Sequence, residues 1–457
     1  MVMELRERVE RLEAENAELR RRLGMNSTNS SKPPSADCLA RPERKRGKGS
    51  GRRRGKQPGA PGSALRLVDD PNETLEHRAD RCANPACGAA LADAVEYARQ
   101  RRQVFELPEV KPHVVEHQIV ALRCGCCGQV TEGSAPEAVG GRAQYGSTVK
   151  AAAVYGRGAQ FLPYGRVAKL LADLLGIRVS VGFVHSVVAE AAARLGPFVS
   201  HLAAALHLEK VLHVDETPAR VAGGHKYVHV ACTNTLTLFH VGGRSAADID
   251  AGGVLPGFGG TLVRDGYAAY QHLTEADHAW CGAHLIRDLR GAHETDPANQ
   301  SWAEHMANTL LIAKKMTEQA VAEGHDRLTD QQRSFIGSCY AGAIAQGRAE
   351  NPPDTAGELP RAGKLVERFA KHRDMILRYT VDLAVPFTNN QAERDLRPVK
   401  VQQKASATWR TLQGLTDFAT LRSYLSTAAK HGQDALDVLT QLFTAGPWLP
   451  PTTAEAS

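Results

Sequence analysis

The chain has 457 residues, enough for several domains because single cores rarely grow past about 250 to 300 residues. Apolar residues make up 42% and charged residues 23%, as in an ordinary soluble protein; no long apolar run exists and the N-terminus is charged throughout, which argues against a membrane span or signal peptide and for a cytoplasmic protein. The net charge of +6 is concentrated in "RPERKRGKGSGRRRGK" (41–56), which holds nine Lys or Arg and one Glu and leaves 47 basic against 49 acidic residues elsewhere.

Residues 2–23 carry heptads, with Val2, Val9, Asn16 and Leu23 in one set and Leu5, Leu12 and Leu19 in the other. These are a and d positions of a coiled coil, and a single Asn at a favours a two-stranded, in-register pair. Arg8 and Glu15 would then meet the partner's Glu13 and Arg20; the same stripe also suits a lone surface helix, and Gly24 ends it. Residues 25–62 read as a flexible arm, because connections this long are rare inside compact domains. Its cations Arg44, Lys45, Arg46, Lys48, Arg52, Arg53, Arg54 and Lys56, with no apolar neighbours to bury, fit nucleic-acid binding through phosphate neutralisation or a solvated linker.

Residues 63–138 turn to short β-like runs, "RQVFEL" and "HQIVALRC", flanked by Cys82-x4-Cys87-Gly88 and Cys124-x2-Cys127-Gly128. Nine cysteines in a cytosolic chain argue against a disulfide framework. Two knuckles, each followed by a glycine, fit a structural four-cysteine zinc site in a ribbon joined by a long hairpin, with a redox pair or plain thiols as alternatives and Cys126 as a spare. Residues 147–195 read as three helices, the second opening near Pro163 and the third at Ser180. The joint "LGIRVS" suits a helix-turn-helix or a plain helical hairpin.

From about residue 207 the pattern is βββαβ: "KVLHVDETP", "KYVHVACT", "LTLFHV", a polar stretch with room for one helix, then "GTLVRDGY". Asp215 and Asp265 each follow a buried apolar run, so both fall at the rim of a sheet, where carboxylates from different strands converge. Taken singly, each is more simply a turn or cap residue, and Glu393, three residues after Asn390, fits a capping box. Together, beside a phosphate-binding arm, they fit a two-metal phosphoryl-transfer site.

The sequence resembles the DDE transposases of bacterial insertion sequences, specifically the insertion sequence 66 family. The resemblance runs over nearly the whole chain and rests on "NSTNSSKPPSAD", "GRRRGKQPGAPG", the cysteine knuckles, "HVDETP", "VRDGYAAY", "CGAHLIRDL", "NNQAERDLRPVK" and "TAAKHGQDALDVL". It implies a multidomain α/β protein with a ribonuclease H-like catalytic core, and Asp215, Asp265 and Glu393 as a triad holding two Mg2+ (or Mn2+) ions. The reaction implied is cleavage at the element's terminal repeats and 3′-OH transfer into target DNA, with a homodimer or higher oligomer and small accessory proteins as partners and no membrane. Arg394, Arg397 and Lys400 are candidate phosphate contacts or, as in a Glu393–Arg397 pair, members of a solvated helix face. Cys281 and His284, at i and i+3, are a possible structural pair.

The implied layout is a coiled coil (1–24), a basic arm (25–62), a zinc ribbon (63–138), a helix-turn-helix-like region (139–206), the first part of the core (207–289), a helical insertion (290–380), the second part of the core (381–432) and a C-terminal tail (433–457). A non-catalytic DNA-binding relative and a nuclease built on the same core are the alternatives.

Overall fold

The structure, a computed structural model, describes Arg8, Leu19, Met25 and residues 65–451. The heptads and the basic arm from Arg44 to Lys56 therefore fall outside the described residues. Residues 65–111 belong to one compact unit and residues 112–451 to another.

In the first unit Cys82 and Cys87 sit in a tight turn closed by an antiparallel bridge between Arg81 and Ala90. The Cys82 N–H donates to Ala89 O at 2.9 Å and the Cys87 N–H to Asn84 O at 2.9 Å. The chain returns at Gly88, whose φ of +57° would strain any side chain. The strand expected at "RQVFEL" does not form: residues 102–107 run without a pairing strand, with Val104 and Leu107 exposed, so their backbone groups have no ladder to join.

In the second unit, strands β1 (Ala121–Arg123) and β2 (Val130–Glu132) pair antiparallel. Between them the Cys124 N–H donates to Gln129 O at 2.8 Å, and Gly128 (φ +76°) closes the turn onto Cys124 O at 2.9 Å. Only the end of "HQIVALRC" is strand, and β1 and β2 flank the second knuckle, so the long hairpin expected between the cysteine pairs does not form.

Four helices follow: α1 (Ser147–Gly158), α2 (Tyr164–Leu175), α3 (Val181–Arg194) and α4 (Gly196–His207). The α2–α3 joint is made by Gly176 at φ +66° and by Ser180, whose hydroxyl accepts the Phe183 N–H at 3.0 Å. Ala153, Val167, Leu171 and Val184 give α1, α2 and α3 a small core of their own.

The central sheet comprises β3 (Val211–Val221), β4 (Gly224–Cys232), β5 (Thr237–Gly242), β6 (Thr261–Arg264) and β7 (Asp277–Trp280), in the order β5-β4-β3-β6-β7. The first three are antiparallel, while β6 runs parallel to β3 and β7 parallel to β6. The β3–β4 turn is two residues, Ala222 and Gly223, both at positive φ as a tight hairpin of matching twist requires. Helix α5 (Ala246–Asp250) lies between β5 and β6.

Beyond β7 come α6 (Gly282–Thr295), α7 (Ser301–Ala322), α8 (Asp330–Glu350), α9 (Arg361–Lys371) and two single turns, α10 (Arg373–Ile376) and α11 (Arg378–Val381). They bury Trp302, Met306, Tyr340 and Phe369 in a core that continues into Val263 and Trp280 at the sheet edge. The chain then returns as α12 (Asn390–Ser406), α13 (Leu412–Lys430) and α14 (Ala435–Thr444). One face of the sheet, with Leu212 and Val214, packs on Phe198 and Leu202 of α4, Tyr424 of α13 and Leu439 of α14. The stretch expected as a C-terminal tail thus contributes a core helix. The other face, with Val228, Val230 and Phe239, lies under Ala392, Leu396 and Val399 of α12. No helix among the described residues is long and apolar enough to cross a membrane.

Candidate active site

Asp215 stands within β3 and Asp265 directly after β6, so the parallel pairing of these strands brings the two carboxylates to one part of the sheet. Each accepts a local backbone N–H: Asp215 Oδ1 from Glu216 at 2.9 Å and Asp265 Oδ1 from Tyr267 at 2.8 Å. The Asp215 carboxyl is pushed up to about 7, first by burial and then by the negative charges of Glu216 and Asp265. Asp265 is therefore close enough to disfavour the ionisation of Asp215.

Arg264 fixes the Asp265 turn from beneath. Fully buried, it donates from Nη1 to the carbonyls of Asp265 (2.9 Å) and Tyr267 (3.0 Å) and from Nε to His278 Nδ1 (2.9 Å). His278 therefore carries its proton on Nε2, facing Leu273 O at 3.0 Å, and burial followed by the Arg264 charge pushes its pKa down to about 4.

Glu393 occupies the first turn of α12, and the start of that helix is anchored from two directions. Asn389 stands at the N-cap position, but its side chain makes no cap. Nδ2 donates to Val214 O at 2.8 Å, and Oδ1 accepts from His213 Nδ1 at 2.9 Å, tying the helix to the strand that carries Asp215. From the other side, Gly282 N–H donates to Phe387 O at 2.8 Å, and Asn389 N–H reaches Cys281 Sγ at 3.1 Å. A Cβ on Gly282 would stand 2.2 Å from the Phe387 ring, so only glycine permits this approach.

The capping box expected from Asn390 to Glu393 does not form, because the helix begins one residue too early for it and the Glu393 side chain turns to His284, with Oε1 3.9 Å from Nδ1. Nor does Glu393 pair with Arg397. The His284 imidazole is pushed up to about 9, first by the Cys281 side chain beside it, and Glu393 adds to the effect. Cys281, His284 and Glu393 bring ligand atoms within 4.8 Å of one another, and His284 also favours the charged form of Asp215.

Arg394, Arg397 and Lys400 are exposed on α12, and Arg394 bonds only Gln391 Oε1 at 2.6 Å. Behind them, Asp395 and Lys430 form a largely buried pair at 2.7 Å, with Lys430 also donating to the carbonyls of Thr233 and Leu236. In the second knuckle the N–H groups of Cys127 and Cys126 pull the Cys124 thiol below its usual value. Sequence reasoning read Asn389 only as a candidate helix start, and passed over the roles of His213, Arg264 and the Asp395–Lys430 pair. Asp395 sits inside the quoted "NNQAERDL", where its spacing from Gln391 was the available signal.

The model of the Transposase IS66 family matches residues 142–417, a stretch that contains Asp215, Asp265, Cys281, His284 and Glu393. Residues 1–66 match a family of unknown function, DUF6444. An uncharacterized protein, y4qI of Sinorhizobium fredii, is 29% identical over 204 residues, which is 42% of this chain and 36% of that relative. The chain spans about a third of the length of this curated relative.

Proposed function

The chain belongs to the Transposase IS66 family, and on that footing we propose that it cuts DNA at the ends of an insertion sequence and joins the freed 3′-OH to target DNA, using Asp215, Asp265 and Glu393. The observation that carries this reading is that Asp215 and Asp265 stand on paired parallel strands while the helix bearing Glu393 is bonded to the strand of the first aspartate. A ribonuclease H-like core is part of the proposal, supported by a sheet in which three antiparallel strands are extended by two parallel ones.

The donor set fits hard divalent cations. Asp215 is half-buried beside like charges, an arrangement that a cation would relieve, and carboxylate oxygens suit Mg2+ or Mn2+. Two such ions, when bound, would offset the charge that develops on the reacting phosphate. Asp215, Asp265 and Glu393 would hold them. His284, 3.9 Å from Glu393, holds a proton that also favours the charged form of Asp215. Cys281 we read as structural, its sulfur being used by the Asn389 N–H. Arg394, Arg397 and Lys400 line the exposed side of the helix that carries Glu393, where they would bind phosphates and set the DNA strand against the carboxylates. The cysteine knuckles are read as zinc ligands, supported by their turn geometry, and the basic arm as a further DNA contact. Dimerisation through residues 2–23, accessory proteins of the same element and a cytoplasmic location complete the proposal.

The test incubates the full-length protein with labelled DNA carrying the ends of its own element, with and without Mg2+. Nicked and joined products are expected. Asp215→Asn, Asp265→Asn and Glu393→Gln should each abolish both products while leaving DNA retention intact; cleavage retained by one of them removes that residue from the triad. Hydrolysis without joining would make the protein a nuclease, and retention without Mg2+-dependent cleavage a binding protein.

A further inference from the structure

Arg244, in the loop after β5, is an exposed arginine held far more rigidly than surface arginines usually are. Its backbone is fixed on both sides: the Gly243 N–H donates to Asp248 Oδ1 at 2.7 Å and the Ser245 N–H to Asp248 Oδ2 at 3.0 Å. Its own carbonyl accepts the Tyr267 hydroxyl at 2.8 Å. Gly243 has no room for a side chain, since a Cβ would stand 2.5 Å from Asp248 Oδ2.

The guanidinium is fixed as well. Nε and Nη2 donate to Glu216 Oε1 at 3.0 and 2.8 Å, and the group lies 3.9 Å from the Tyr267 ring centre. The Arg244 side chain is nevertheless 42% exposed, against 2% for Glu216, and Nη1 has no partner among the described residues. Both anchors lead to the candidate active site: Glu216 follows Asp215, and the Tyr267 N–H is the donor to Asp265 Oδ1.

We propose that Arg244 is a preset phosphate contact for the DNA strand that meets the carboxylates, an inference that rests on the functional reading above and adds a residue to it. A planar guanidinium with one edge bonded and the other open suits a phosphate oxygen. A side chain already immobilised loses little conformational freedom when it binds. A counter-ion whose only task was to neutralise Glu216 would gain little from a locked backbone, and Glu216 is also served by the Tyr270 hydroxyl at 3.0 Å.

The experiment measures binding of full-length protein to a short fluorescein-labelled duplex of arbitrary sequence across a KCl series. If the wild type does not bind, the DNA reading itself fails. If it binds, Arg244→Gln should weaken binding and lower the slope of log affinity against log salt by about 1, as expected for one lost phosphate contact. Arg244→Lys should keep most of the slope, because the charge remains, and Glu216→Gln should keep all of it. The double variant Glu216→Gln/Arg244→Gln leaves no buried carboxylate without a partner and serves if the single variant does not fold; it too should show the reduced slope. A wild-type slope in either folded variant lacking Arg244 overturns the proposal and leaves Arg244 as the Glu216 counter-ion.

Discussion

Replacing Asp215 by Asn should stabilise the cation-free protein at alkaline pH. The folded chain keeps the Asp215 proton up to about pH 7, whereas the ordinary value for an aspartate is 3.8. Between those values the native state holds a proton that the unfolded chain has released, so stability falls as pH rises, and above about pH 7 the full penalty applies. At about 1.4 kcal/mol per pH unit the interval comes to about 4 kcal/mol, an upper bound because water entry and relaxation soften the cost of burying a charge. Asparagine keeps the shape and the oxygen that accepts the Glu216 N–H at 2.9 Å, and removes only the charge. Urea unfolding in EDTA at pH 8 should therefore show a gain of roughly 2 to 4 kcal/mol, shrinking to roughly 1 to 2 at pH 5, where the wild type keeps most of its proton. Added Mg2+ should raise the wild-type midpoint more than that of the variant, by linkage to binding. A variant no more stable than wild type at pH 8 in EDTA would refute the reasoning, because burial and the neighbouring charges would then not be disfavouring the Asp215 carboxylate.

Two further outcomes follow from the packing. Gly282→Ala places a methyl 2.2 Å from the Phe387 ring; overpacking of this kind costs about 1 to 3 kcal/mol and should displace residues 387–389, so strand cleavage should fall while the molecule stays folded by circular dichroism, and Phe387→Leu in the same chain should restore part of it. Lys430→Met leaves the buried Asp395 carboxylate without its cation and should cost about 3 to 5 kcal/mol in urea unfolding, most of which the double variant Lys430→Met/Asp395→Leu should recover.

The legible parts of the molecule were those whose determinants lie close together in sequence. The apolar runs "VLHV" and "YVHV" mark β3 and β4, and Gly176 and Ser180 mark the joint between α2 and α3; Asp265 directly follows β6 as expected, whereas Asp215, expected past its strand, stands inside β3, which continues to Val221. β7 went unread because "DHAW" is four residues opening on a charge, and its strand character comes from pairing with β6. "RQVFEL" erred the other way: its composition suits a strand, yet no strand lies beside it. Asn389 reads locally as a helix cap, but its side-chain partners on β3 lie 175 and 176 residues away, and no local pattern contains that information.

That distance also bears on how the site holds together. Carboxylates that repel one another do not assemble themselves, so the positions of the three proposed here must be imposed by groups that gain from the same geometry. Asn389 contributes three such bonds, to Val214, His213 and Cys281, and Arg264 three more, to Asp265, Tyr267 and His278. At about 1 kcal/mol each these offset a cost of about 4 kcal/mol at Asp215 with little to spare. Both anchors are buried and keep away from the carboxylate oxygens themselves; the bonds of Asn389 join segments remote in sequence, while those of Arg264 brace the turn that carries Asp265. The carboxylate oxygens are thereby left free of these anchors, as the proposed binding of a divalent cation requires.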